Sequence, residues 1–192
     1  IVEPRAADRG VRLTYEEQTE GTAAGCVLGS SLHVRQIFIN ILGNAIKYTD
    51  AGGYVLCQVT IKAIGENLIS CQTVISDNGI GMSTAFLPHL FEPFSRENTD
   101  KKSVTQGTGL GMSIVKHLID KMDGTVTVES KKGVGTIFTV TLLFEGLREQ
   151  ECKKIEEEDQ NVDLSGMRVL LAEDNELNME IAETFLTDAG VQ

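Results

Sequence analysis

No run of apolar residues in this chain approaches the roughly 18–20 that a membrane span requires, and its opening stretch, IVEPRAADRG, lacks the apolar centre of a signal peptide. The first residue is not Met, so a segment of a longer protein is expected. None of the four cysteines forms a C-x-x-C pair. Cys57 and Cys71 fall in apolar strand-like runs and read as reduced core thiols of a cytosolic protein, with no structural disulfide expected. Basic excess is missing too. Residues 1–144 hold 13 basic and 14 acidic residues, and residues 145–192 hold 4 and 14, so the net charge of −11 sits almost wholly in the tail. Nothing in the body suggests a nucleic-acid surface. Internal repeats are also absent.

What is present suits one core. A chain of 192 residues with 41% hydrophobic content can bury a core of about 100–150 residues with some to spare. Short strands are predicted at VRLTYEEQ and CVLGS. SSLHVRQIFINILGNAIKYT reads as a helix with a serine cap, carrying Val34, Ile37, Phe38, Ile41, Leu42 and Ala45 at helical spacing and closed by AGG. YVLCQVTIKAI, LISCQTVISD, GTVTVES and GTIFTVTLLF are further strands, the last two joined through KKGV. Strands gathered on either side of helices predict an α+β two-layer sandwich, a mixed or mostly antiparallel sheet covered by helices on one face. The composition turns acidic and charged from Glu145 to Ser165. The division expected is a body over 1–146, an acidic linker over 147–166 and a further piece over 167–192. In that piece MRVLLAEDN reads as a buried-type strand, and ELNMEIAETFLTDAG as a helix with Met179, Ala182, Phe185, Leu186 and Ala189 on one side. Twenty-six residues cannot supply the neighbours such a strand needs, so the piece is expected to be disordered or to pack on another surface.

Four clusters carry chemistry. On the long helix Gln36, Asn40, Asn44 and Lys47 recur every three or four residues and form one polar stripe. Asn is a poor helix former, so helix stability does not explain it. Carboxamide oxygens suit a hard cation such as Mg²⁺, and a lysine one turn on offsets phosphate charge. Next, in SDNGIGM, Asp77 ends an apolar strand where a carboxylate can accept from an exocyclic amine such as that of adenine. Gly79 and Gly81 let the chain turn, and Ile80 and Met82 offer apolar contact to a ring. In LFEPFSR, Phe91 and Phe94 flank a proline as hydrophobic anchors. Finally, QGTGLGM places Gly107, Gly109 and Gly111 at alternate positions ahead of an amphipathic helix. A dinucleotide fingerprint would need its third glycine where Met112 stands, and a P-loop needs a Gly-Lys-Ser/Thr triplet that is lacking.

In this order the four clusters resemble the boxes of the catalytic, ATP-binding domain of sensor histidine kinases, over roughly residues 10–145. The resemblance implies a Bergerat-type α/β sandwich in which Asn40 and Asn44 bind Mg²⁺ through ATP. Lys47 and Tyr48 would lie near the phosphates or sugar, and Asp77 would read the adenine amine. Gly107, Gly109 and Gly111 would line the triphosphate, and Thr136 in GTIFTV would stand near the base. It extends the nucleotide-binding set to Gly79, Gly81, Met82, Phe94, Thr108, Leu110 and Met112. Ser95–Gln106 would be the ATP lid, where Arg96, Lys101 and Lys102 could reach phosphate. RVLLAEDN is similar to the first strand of a response-regulator receiver domain, with Glu173 and Asp174 as its metal-binding acidic pair, a layout of hybrid histidine kinases.

That resemblance also implies the reaction. The parent would transfer the γ-phosphoryl group of ATP to a histidine on an upstream dimerisation domain, most simply as a homodimer. None of His33, His89 and His117 has the phosphoacceptor context. Related ATPases carry a water-activating glutamate where Asn40 stands, so hydrolysis is expected to be slow. The chain is expected to be cytoplasmic, its parent tied to the plasma membrane, if at all, by regions upstream. The alternatives are a degenerate nucleotide-binding or docking module, and a related ATPase or serine kinase.

Overall fold

The computed structural model describes residues 2–20, 26–65, 67–97, 108–147, 166–173, 176–188 and 190–191. The chain forms two compact units, Ile1–Arg148 and Glu149–Gln192.

In the first unit, helix α1 (Val2–Asp8) and strands β1 (Arg12–Glu20) and β2 (Cys26–Leu28) precede the long helix α2 (Ser31–Tyr48). Strands β3 (Tyr54–Ala63) and β4 (Leu68–Asp77) follow, then a 3-10 turn (Leu87–His89), helix α3 (Gly111–Lys121) and strands β5 (Thr125–Lys131) and β6 (Gly135–Leu147). The six strands form one sheet in the order β1-β3-β4-β6, with β6 taking β5 and β2 as its remaining partners. Among the described residues only β1 and β3 run parallel; the other pairings are antiparallel. This is the mixed α+β sandwich expected.

Alternation along each strand decides which face is covered. Val55 and Cys57 of β3, Ile75 of β4, and Phe138, Val140 and Leu142 of β6 point to one side and are buried. Ile37, Ile41 and Ala45 of α2, and Met112, Val115 and Ile119 of α3, meet them there in one core. The opposite face carries Gln58 and Gln72, both exposed, and Thr139 and Thr141, both half-buried. Ser30 caps α2, its hydroxyl accepting from the His33 N–H at 3.3 Å.

Helix α1 was not expected, because seven residues are too few to show a period. Its role is visible in contacts. Ala6 is buried, and Arg9 donates from Nε to the Ile46 carbonyl at 3.1 Å and from Nη2 to that of Lys47 at 2.9 Å. A cation thus satisfies carbonyls that the end of α2 leaves unpaired. Cys57 and Cys71 are free thiols as expected.

The second unit contains helix α4 (Glu176–Asp188). Gly190, in the left-handed region at φ +77°, ends it, with the Val191 N–H donating back to the Leu186 carbonyl at 3.0 Å. The strand expected at MRVLLAEDN does not form over 167–173, and Leu170 is 96% exposed. A strand needs a neighbour for its N–H and C=O groups, and the described residues of this unit hold none. Phe185 is also exposed rather than part of a packed face.

Candidate functional site

A cavity of about 310 Å³ opens between α2, the N-terminus of α3, the ends of β4 and β6, and the segment running from Ile80 to Glu97. Its two ends differ in construction.

At the first end, register makes a row. Asp77 of β4 lies opposite Thr136 of β6, and Thr136 lies opposite Ser130 of β5. Directly opposed residues of antiparallel strands project to the same face, so three polar groups end the apolar face together. The Asp77 Oδ1 accepts from the Gly79 N–H at 2.9 Å. Burial pushes the Asp77 carboxyl above the ordinary carboxylate range, while hydrogen bonds from the Gly79 and Thr136 backbone act the other way. The wall beside it is apolar: Ile80, Met82, Phe86, Leu90 and Phe138. Gly79 and Gly81 serve this end indirectly. A Cβ at Gly79 would stand 2.4 Å from the Tyr48 carbonyl oxygen, and one at Gly81, where φ is +60°, 2.1 Å from that of Lys131. Both glycines therefore let the loop pass between the end of α2 and the β5–β6 hairpin, rather than making room for a ligand.

Asn40, Asn44, Lys47 and Tyr48 line the second end, as the stripe required. The Asn40 Nδ2 donates to the Gln36 carbonyl at 2.8 Å. With its amide nitrogen turned back on the helix, Asn40 keeps its carbonyl oxygen as the remaining acceptor. A Cβ on Gly111 would lie 3.1 Å from that oxygen. Lys47 Nζ stands 5.0 Å from the centre of the Tyr48 ring, within cation–π reach. Gly111 and Met112, the first residues of α3, bring that helix's N-terminal N–H groups to the wall. Gly109 takes φ +74°, and a Cβ there would lie 2.8 Å from the Phe94 carbonyl carbon. The Phe94 N–H donates to the Gly109 carbonyl at 3.0 Å.

Most expected residues therefore converge: Asn40, Asn44, Lys47, Tyr48, Asp77, Gly81, Met82, Arg96, Thr108, Gly109, Gly111, Met112 and Thr136 all line one cavity. Gly79, Phe94 and Leu110 do not. Phe91 packs on the core as an anchor should, whereas the Phe94 side chain is 71% exposed and its backbone, at φ 62°, does the holding. Leu110 caps α3 and accepts from the Ser113 hydroxyl at 2.8 Å. Gly107, Lys101, Lys102 and Asp174 lie outside the described residues, and Glu173 is exposed in the second unit. Glu97 was missed. It lines the cavity, receives the Ser83 N–H on its two oxygens at 3.2 and 3.3 Å, and has Lys132 Nζ at 3.9 Å. A single Glu in a polar run carries no periodic signal that would have marked it. Among the described residues no cluster of three or more His, Cys, Asp or Glu side chains could hold a metal. No helix among them is long and apolar enough to cross a membrane.

Comparison with known proteins agrees with this geometry. The family model described as histidine kinase-, DNA gyrase B-, and HSP90-like ATPase matches residues 29–146. An autoinducer 2 sensor kinase/phosphatase, LuxQ, from Vibrio parahaemolyticus is 34% identical over 200 residues, a match covering 100% of this chain and 22% of that protein. The sensor histidine kinase RcsC of Escherichia coli is 35% identical over 163 residues, covering 85% of this chain and 16% of its own. The chain thus spans about a fifth of the curated relatives it matches. Among solved structures, the mycobacterial sensor histidine kinase MprB superposes with a TM-score of 0.57 at 26% identity, over 76% of this chain and 90% of that one. Full-length ShkA in complex with AMPPNP gives 0.58 at 26% identity, over 100% of this chain and 36% of that one.

Proposed function

The chain belongs to the family of histidine kinase-, DNA gyrase B-, and HSP90-like ATPases, and from that premise we propose that it is the ATP-binding catalytic domain of a hybrid sensor histidine kinase. The observation that carries this reading is the convergence of Asp77 with the Asn40, Asn44 and Lys47 stripe on one cavity, a base-sized apolar wall between them.

The residues fit the groups proposed. Asp77 accepts from the exocyclic amine of adenine, the ring lying along Ile80, Met82 and Phe138. The phosphates face the N-terminus of α3, Lys47 and Arg96, where N–H groups and cations offset their charge. Asn40 and Asn44 supply neutral oxygen donors, which suit Mg²⁺ held jointly with phosphate and water. That ion, when bound, neutralises charge developing on the transferred phosphoryl group. The domain's own work is positioning: it orients the nucleotide, screens its charge and presents it to a histidine carried by an upstream dimerisation domain of the same parent. We propose a homodimeric parent, with a membrane anchor, if one exists, outside this chain.

Residues 167–192 are proposed to begin a receiver domain, with Glu173 and Asp174 as its acidic pair. What supports this is the similarity to the Vibrio sensor along the whole chain, although a strand over 167–173 has not formed. Among the described residues no carboxylate lies on the Asn40 stripe to activate water, and Glu97 is engaged with Ser83 and Lys132. Incubation with γ-labelled ATP should therefore leave no label on the isolated chain and release phosphate slowly. Label on the chain would contradict the placing of the acceptor histidine outside it, and turnover like that of a dedicated ATPase, lost in Asn44→Ala, would overturn the kinase assignment.

A further inference from the structure

The Ser130 hydroxyl meets three groups at once. It lies 2.8 Å from the Met82 backbone nitrogen, 3.0 Å from the Gly135 carbonyl oxygen and 2.9 Å from the Thr136 Oγ1. A hydroxyl has one hydrogen and two lone pairs. An N–H only donates and a carbonyl only accepts, so the Ser130 hydrogen goes to Gly135 and one lone pair takes the Met82 hydrogen. The remaining lone pair is filled by the hydroxyl hydrogen of Thr136. Thr136 lines the cavity and then has no hydrogen to offer it, so its oxygen acts there through lone pairs alone. The neighbouring Asp77 carboxylate, when ionised, is also acceptor-only.

We infer that Ser130 is a positioning residue that holds the Thr136 hydroxyl as an acceptor, making the base end of the cavity select a purine with an exocyclic amine over one with a carbonyl there. The inference rests on the nucleotide-binding reading above and adds to it a residue that does not itself line the cavity. An oxo purine exchanges the amine, with its two hydrogens, for a carbonyl and a single N1–H. That one hydrogen cannot serve both acceptors, so one of them and the carbonyl are left buried without partners, the situation that binding sites discriminate against most strongly.

The test is the ratio of ATP to ITP affinity, measured by calorimetry or competition for the unaltered chain, Ser130→Ala, Ser130→Thr, Thr136→Val and the double variant Ser130→Ala/Thr136→Val. Losing the imposed polarity should narrow the preference for ATP about tenfold in Ser130→Ala, the scale of one hydrogen bond. Ser130→Thr keeps the hydroxyl and should keep the preference. The double variant should narrow it no further than Thr136→Val alone, since both act through one group. ATP and ITP affinities that fall together, with the ratio unchanged, would reduce Ser130 to a structural role and overturn the inference. If Ser130→Ala does not fold, an unchanged ratio in Thr136→Val overturns it equally. Failure of the unaltered chain to bind ATP is a different result: it would remove the nucleotide reading itself, and this inference with it.

Discussion

The two ends of the cavity are built on opposite principles. At the end proposed to hold the base, Asp77, Thr136 and Ser130 hang from adjacent strands, their geometry set by register and by hydrogen bonds at 2.8–3.0 Å. At the end proposed to hold the phosphates, Asn40, Asn44 and Lys47 stand along one helix face, and Gly109, which accepts from the Phe94 N–H, lines the same cavity. A base has one shape and needs a fixed acceptor pattern, which a rigid sheet supplies. A triphosphate and its counter-ion bind by charge, which tolerates more movement and suits loop and helix-end donors.

The contrast breaks most violently at Gly135. Its φ is +133°, and a Cβ there would lie 1.9 Å from the Asp77 carbonyl oxygen. Gly135→Ala should destabilise the domain by about 3 kcal/mol or more, because neither partner can yield; thermal unfolding would record this as a large fall in Tm. Asp77→Asn comes next. Losing a charge-assisted acceptor should weaken adenosine and ATP alike, by roughly 2 kcal/mol in a binding titration. Asn44→Ala should weaken ATP by about 1–2 kcal/mol with Mg²⁺ present and leave adenosine unaffected, which separates the ends directly. Smallest is Gly111→Ala. Its Cβ would press on one flexible amide at 3.1 Å, and stability should change by less than about 1 kcal/mol.

Acidity distinguishes the ends further. The Asp77 carboxyl is raised by burial, so the native state binds its proton more readily than the unfolded chain does. Ligand-free stability from this group therefore declines as pH rises from the ordinary carboxylate value through the raised one. Binding of an amine donor favours the anion, so nucleotide affinity should be full above that raised value and fall as pH drops through it. In Asp77→Asn this fall should vanish.

How much of this was legible beforehand follows the same division. Apolar alternation in LISCQTVISD and GTIFTVTLLF, and the helical period around Ile37 and Ile41, placed the sheet and α2, because burial imposes those periods. The Asn stripe was legible because α2 is regular, so spacing alone brings Asn40, Asn44 and Lys47 to one wall. Contacts across the fold were not. Nothing in Arg9 announces that it caps α2, nor in Glu97 that it holds Ser83, and Ser130 gains meaning only from its register with Thr136. The strand expected in the tail failed because a periodic pattern states what a segment can bury, not whether a partner strand is there to meet it.

The central claim is that one cavity joins a base-reading end to a metal-assisted phosphate end. Calorimetric titration of the chain with a non-hydrolysable ATP analogue, with and without Mg²⁺, tests it most directly. The account predicts binding in both cases, tightened at least about tenfold by the ion, with Asn44→Ala removing the gain and Asp77→Asn lowering both affinities. No binding under either condition would contradict it and leave a docking module that carries the shape of the family without its ligand.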